Sequence, residues 1–208
     1  MPEFYQDLIT EKSLNILQNF KRKFDFILIG GWAVFLYTKD LKSKDIDLIV
    51  QYETLELLRK KYSLIKNERL RKYQIKQEGI DIDVYLPHYS DLGLSVEEVS
   101  QYVTSREGFI VPKIEMLLIL KQFVFSHRQG SAKGEKDRLD ILSLIKLEQI
   151  DWSFYQELLK KYGLEQFKEK LINLIKEARQ APELGLSEYL VAKLRNNVLK
   201  LISEKENN

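Results

Sequence analysis

Two stretches of this chain alternate acid and aliphatic side chains residue by residue, Asp45-Ile46-Asp47-Leu48 and Ile80-Asp81-Ile82-Asp83-Val84. Successive side chains of a strand point to opposite faces, so each stretch predicts a strand with an aliphatic face and a face bearing two carboxylates. The first runs on into Ile49-Val50, as a strand passing into a core does. Upstream, Phe26-Ile27-Leu28-Ile29 reads as a short buried strand that leads directly into Gly30-Gly31. The apolar run Trp32-Ala33-Val34-Phe35-Leu36-Tyr37 behind the glycines fits a short buried helix, with Trp32 as core packing.

Around these strands the texture changes once, near residue 112, which divides the chain into 1–111 and 112–208. In the first part Tyr5, Leu8, Ile9, Ser13, Ile16, Leu17, Phe20 and Phe24 follow a helical period. A helix over 53–62 follows the acidic strand, then strands near 64–67 and 71–76. Ser95-Val96-Glu97-Glu98 resembles a capping box, and Phe109-Ile110-Val111 closes the half as a strand. Pro112 suits the first position of a long apolar helix reaching about Phe125. A polar loop with Gly130, Ser131 and Gly134 leads to a helix over 136–146. Two later helices carry the stripes Phe167, Leu171, Leu174, Ile175, Ala178 and Leu190, Leu194, Val198, Leu201, Ile202. The expected class is α+β, a mixed sheet with flanking helices followed by an all-helical C-terminal half.

Composition narrows the chemistry. The chain has no cysteine, which removes disulfides, thiolate zinc sites and cysteine nucleophiles. Only His88 and His127 are present, both read as surface residues, so a histidine metal centre is not expected. No apolar run approaches the roughly 18–20 residues that span a bilayer. The start, Met1-Pro2-Glu3-Phe4-Tyr5, lacks the pattern of a secretory leader, and the expectation is a soluble cytoplasmic protein without membrane partners. The formal net charge of +2 hides an uneven distribution. Residues 59–76 hold eight Lys or Arg and one acid, while 78–98 hold six acids and no Lys or Arg. An acidic pocket beside basic strands suits a nucleotide and a polyanionic acceptor such as RNA; solvated charged strands are the plainer reading.

Asp45 and Asp47, two apart on a strand, share a face and repel each other. A divalent cation relieves that cost, and hard oxygen donors without His or Cys select Mg²⁺ or Mn²⁺. A third carboxylate, from Asp81 or Asp83, can meet them from a neighbouring strand. Glycines between strand and helix let backbone N–H groups approach an anion at the positive end of the helix. Three carboxylates around two cations beside such a turn are equipment for phosphoryl or nucleotidyl transfer.

Carried by Ile29-Gly30-Gly31, Asp45-Ile46-Asp47 and Ile82-Asp83-Val84, this pattern resembles the DNA polymerase β-like nucleotidyltransferase superfamily, and within it the AbiEii-type and related small, toxin-like enzymes. The resemblance covers roughly residues 24–145. It implies transfer of a nucleoside monophosphate from an NTP to an acceptor hydroxyl, with release of pyrophosphate. Asp45, Asp47 and Asp83 would hold the metals, Asp83 being preferred to Asp81 because Val84-Tyr85-Leu86-Pro87 continues as the family does. Asp83 could also act as base. Ser43 takes the place of a family Thr, and Gly31 stands where Ser is commoner. Leu41, followed by Lys42, replaces a family Arg. Gly30, Gly31 and Ser43, with Lys121, Arg128 and Lys136-Asp137-Arg138-Leu139-Asp140, look like the nucleotide-binding parts, and Lys121 and Arg128 would neutralise the triphosphate. Read alone, Lys121 is equally a snorkelling side chain, and Asp140 an ion-pair partner of Lys136. The implied partners are an NTP, bound in a cleft between the two halves, an acceptor such as the 3′ end of tRNA, and an antitoxin protein. The alternatives are a small-molecule nucleotidyltransferase of the antibiotic-modifying type, and a non-catalytic nucleotide- or RNA-binding protein or structural partner.

Overall fold

The computed structural model describes residues 3–204, with side chains from 7 to 202; Met1-Pro2 at the expected leaderless start lies outside them. The chain forms two compact units, Met1–Lys113 and Ile114–Asn208. Among the described residues no helix is long and apolar enough to cross a membrane.

The first unit is built on one seven-stranded mixed sheet. Its elements are α1 (Glu3–Lys21), β1 (Ile27–Ile29), α2 (Gly30–Thr38), β2 (Ile46–Ile49), α3 (Tyr52–Lys61), β3 (Leu64–Asn67), β4 (Lys72–Gln77), β5 (Ile80–Tyr85), α4 (Val96–Ser100), β6 (Val103–Arg106) and β7 (Phe109–Pro112). The strand order is β3-β4-β5-β2-β1-β7-β6. Both acid–aliphatic stretches form strands, β2 and β5, which pair parallel with Asp47 opposite Asp83; Asp45, expected to open the first, lies in the bend just before β2. Ile46, Leu48, Ile80, Ile82 and Val84 are buried on the aliphatic face, while Asp47, Asp81, Asp83 and Tyr85 on the other are half-buried. Ser13, Ile16, Leu17 and Phe20 form the buried stripe of α1, and Phe24, expected to continue it, is buried beyond the helix end at Lys21, whereas Leu8 is exposed. Trp32 is fully buried, its indole N–H donating to Ser13 Oγ at 2.9 Å and tying α2 to α1. The β4–β5 and β6–β7 connections are two-residue turns with both central residues at positive φ, Glu78-Gly79 and Glu107-Gly108, the backbone that matches hairpin twist. The capping box is present: Ser95 Oγ accepts from Glu98 N, and Glu98 Oε2 accepts from Ser95 N.

One expectation is corrected here, and one strand is new. Pro112 does not begin a helix; it ends β7 opposite Val103, and its carbonyl accepts from the Tyr37 hydroxyl at 2.8 Å. Its fixed φ suits an extended residue as well as a helix start, and the pairing with β6 decides between them. β6 itself escapes the sequence pattern because an edge strand with half its residues exposed needs no regular alternation.

The second unit contains α5 (Ile114–Arg128), α6 (Ala132–Lys146), α7 (Trp152–Lys161), α8 (Gln166–Glu177), a 3₁₀ turn at Pro182–Leu184 and α9 (Glu188–Glu204). Helix α5 is buried along Ile114–Gln122, as an apolar helix at the centre of a unit should be. Helix α6 starts earlier than expected because Ser131 caps it, accepting from Gly134 N. Phe167, Leu171, Leu174, Ile175 and Ala178 are buried as expected. On α9 the buried stripe is Val191, Leu194, Val198 and Ile202, with Leu190 and Leu201 turned outward. A polar chain crosses this core: Tyr155 Oη donates to Gln122 Oε1 at 2.7 Å, and Gln122 Nε2 donates to the Phe167 carbonyl at 2.8 Å. Burial pushes the Tyr155 phenol above its ordinary range, so it stays a donor. Replacing Tyr155 by Phe strands the Gln122 carbonyl oxygen and should lower stability by about 1–3 kcal/mol, read as a lower urea midpoint at unchanged slope.

Candidate active site

The site in the first unit is assembled from the C-terminal end of β1 and the paired strands β2 and β5. Gly30 has φ +69°, a left-handed backbone that turns the chain from β1 into α2. A side chain there would collide with the acid opposite: a Cβ on Gly30 would stand 2.1 Å from Asp47 Oδ2. The register accounts for this approach, since Asp47 lies opposite Ile29 in the antiparallel β1–β2 pair. The strand-to-helix turn therefore presses on the Asp47 carboxylate with only hydrogen between them. The cap residue of α2 is Ile29, whose side chain makes no capping hydrogen bond. Gly31 follows, buried.

Asp45 is half-buried immediately before β2. Its carbonyl accepts from Ser43 Oγ at 3.0 Å. Ser43 is itself only 2% exposed, and its hydroxyl fastens the approach to β2. Tyr85 Oη donates to Asp47 Oδ1 at 3.4 Å. Asp83 stands beside Asp47 in register; Asp81, two residues earlier on the same face, lies opposite Lys76. The sheet thus brings Asp47 and Asp83 together and puts Asp81 one step further along.

Asp83 is already engaged. Lys72 pairs with its Oδ2, and Gln74 Nε2 donates to its Oδ1 at 2.9 Å. Sequence reading did not single out Lys72, Gln74 or Tyr85; the one available signal was the alternation of Lys72 and Gln74 along a strand. Among the described residues no three carboxylate or imidazole groups stand together as a ready-made metal cage. The Asp45 and Asp47 carboxylates fit one Mg²⁺ or Mn²⁺, an ion that commonly takes one or two carboxylates and completes its shell with water and substrate phosphate. Asp83, held by an ammonium and an amide, does not fit as a ligand of a second.

The second group of expected residues is gathered within the second unit. Lys121, on α5, is 8% exposed, with Nζ 3.2 Å from Asp137 Oδ1 and 2.6 Å from Asp140 Oδ2. Arg128 Nη1 lies 3.5 Å from Asp137 Oδ2, and its side chain is 48% exposed. Asp140 is fully buried, and neither of its oxygens meets an aligned hydrogen-bond donor, so Lys121 holds it by charge. Lys121 is therefore not a snorkelling side chain; its ammonium stands between Asp137 and Asp140. Lys136 is half-buried on α6. His88 and His127 are exposed, as expected.

This architecture recurs among solved structures. A candidate nucleotidyltransferase from Helicobacter pylori matches all of this chain and 98% of its own, at 17% identity and a TM-score of 0.57. JHP933 from the same organism matches 97% of this chain and 95% of its own, at 16% identity and a TM-score of 0.54. The fold is nucleotidyltransferase-like. No protein-family model and no curated protein matches the sequence.

Proposed function

We propose that this chain is a metal-dependent nucleotidyltransferase whose reacting centre is the Gly30, Asp45, Asp47 and Asp83 cluster. The observation that carries the reading is the approach of the Gly30 turn to Asp47, in line with Asp83 on a nucleotidyltransferase-like sheet. Asp45 and Asp47 would hold a divalent ion shared with the triphosphate; such an ion supplies positive charge to the reacting phosphate and the leaving group. Backbone N–H groups at the start of α2 bind phosphate oxygens. The acceptor oxygen forms a bond to the α-phosphorus as the bond from that phosphorus to the bridging oxygen breaks. Asp83 takes the hydroxyl proton, and pyrophosphate leaves. In the second unit the Arg128 guanidinium is partly exposed beside Asp137, and Lys121 holds Asp137 and Asp140.

A polyanionic acceptor, RNA with a free 3′ hydroxyl, is supported by the strands that adjoin β5. Seven of the eight basic residues over 59–76 are exposed; Lys72 is the buried one. Arg59 lies over the Tyr73 ring at 5.5 Å and Lys66 over the Tyr89 ring at 5.2 Å, with the two rings 5.8 Å apart. Cations interleaved with aromatic faces suit phosphate and base contact together.

Thermal melts with each NTP and Mg²⁺ test the reading. The midpoint should rise by several degrees with NTP and Mg²⁺ together, less with either alone, and not at all once Asp45 and Asp47 are both replaced by Ala. Binding at 100-fold over Kd corresponds to about 2.7 kcal/mol. Absence of any nucleotide-dependent shift in the wild type would sink the proposal. Labelled NTPs incubated with total RNA or with small hydroxyl compounds then separate the two acceptor classes.

A further inference from the structure

The sheet face that bears the acids also bears a cation of the chain's own. Lys72 opens β4 and is 9% exposed, and its ammonium pairs with Asp83. Register produces the arrangement. Gln74 lies opposite Asp83 and Asp83 opposite Asp47, so the three stand in a row across one face. Lys72, two residues before Gln74, shares that face and reaches diagonally to Asp83, with Nζ 5.9 Å from the Tyr85 ring centroid. Each Asp83 oxygen thus accepts from a different β4 side chain.

Resting on the reading above, we propose that Lys72 stands in the place of the second cation of a two-ion site: it neutralises Asp83, and the chain binds a single divalent ion, on Asp45 and Asp47, together with its nucleotide. An ion that took Asp83 would leave a nearly buried ammonium without its anion, and unpaired buried charge is strongly unfavourable. Lys72 already offsets the charge of Asp83, so a second divalent ion gains less attraction there than at a carboxylate without a lysine beside it. The role asked of Lys72 is positioning: it fixes the Asp83 carboxylate and keeps it from becoming a ligand.

Mn²⁺ titration of the full chain, followed by electron paramagnetic resonance in the presence of a non-hydrolysable NTP analogue, tests this without turnover. The expected count is one tightly bound Mn²⁺ per chain. Lys72→Met should admit a second ion at least about tenfold more tightly than the wild type does, Lys72→Arg should keep the count at one, and Asp83→Asn should leave the first ion's affinity unchanged while Asp47→Asn lowers it. Two ions on the wild type, or loss of an ion in Asp83→Asn, would overturn the proposal even if Lys72→Met failed to fold, and so would an unaltered count in a folded Lys72→Met. Two ions on the wild type leave the nucleotidyltransferase reading standing; no Mn²⁺ bound with any nucleotide removes that reading, and this inference with it.

Discussion

Replacing Gly30 by Ala is expected to lower activity at least about 100-fold, because the new methyl group must displace the Asp47 carboxylate, and misplacement by about 1 Å is enough for such a loss. Two costs add at this position. The left-handed backbone at φ +69° disfavours any L side chain by about 1–2 kcal/mol. Separately, a Cβ placed 2.1 Å from Asp47 Oδ2 and 2.8 Å from Asp47 Cγ overlaps both atoms. Gly79 separates the two costs. It has the same kind of backbone, φ +82°, but open space where a Cβ would stand. Gly79→Ala should therefore lose only the backbone part of the stability, about 1–2 kcal/mol, and keep nucleotide-dependent stabilisation. Gly30→Ala should lose both. Equal behaviour of the two variants in melts with and without NTP and Mg²⁺ would show that the approach to Asp47 is unimportant.

The largest stability effect is expected at Lys121. Its ammonium is the buried cation beside both Asp137 and Asp140, and Asp140 is fully enclosed. Lys121→Met leaves both acids in place and should cost about 3–5 kcal/mol, the usual result of removing one partner from a buried pair. In a unit of this size that is a fall in melting temperature of more than about 10 °C. Adding Asp137→Asn and Asp140→Asn should recover most of the loss, since the uncompensated charges go with them. If the single variant melts like the wild type, the cluster is not holding α5 to α6 by charge. A triphosphate ligand on Lys121 predicts a different pattern, loss of nucleotide binding with stability intact.

Much of the candidate site was legible because strand periodicity is a local property. Alternation at Asp45–Leu48 and Ile80–Val84 assigned both acid faces, and a glycine pair between an apolar strand and an apolar helix marked the turn. Pro112 was ambiguous locally, since its φ serves a strand end and a helix start alike, and only the pairing with Val103 chose between them. Lys121 was ambiguous for a related reason. A charged residue in an apolar helix reads the same whether it reaches water or meets buried counter-charges on the next helix, here Asp137 and Asp140.

The sequence by itself determined which side chains of a strand share a face, most plainly Asp81 with Asp83. Chain geometry within one strand decides that. Which faces meet, and at which residue, came only with the tertiary structure. Register set Asp47 beside Asp83, laid Gln74 and Lys72 against Asp83, and brought Gly30 down on Asp47. Pairing between strands distant in the chain depends on how the whole sheet buries its aliphatic side. Three carboxylates that read alike in the sequence therefore differ in their surroundings: Asp83 is paired with Lys72, Asp47 accepts from Tyr85, and Asp45 sits just ahead of its strand.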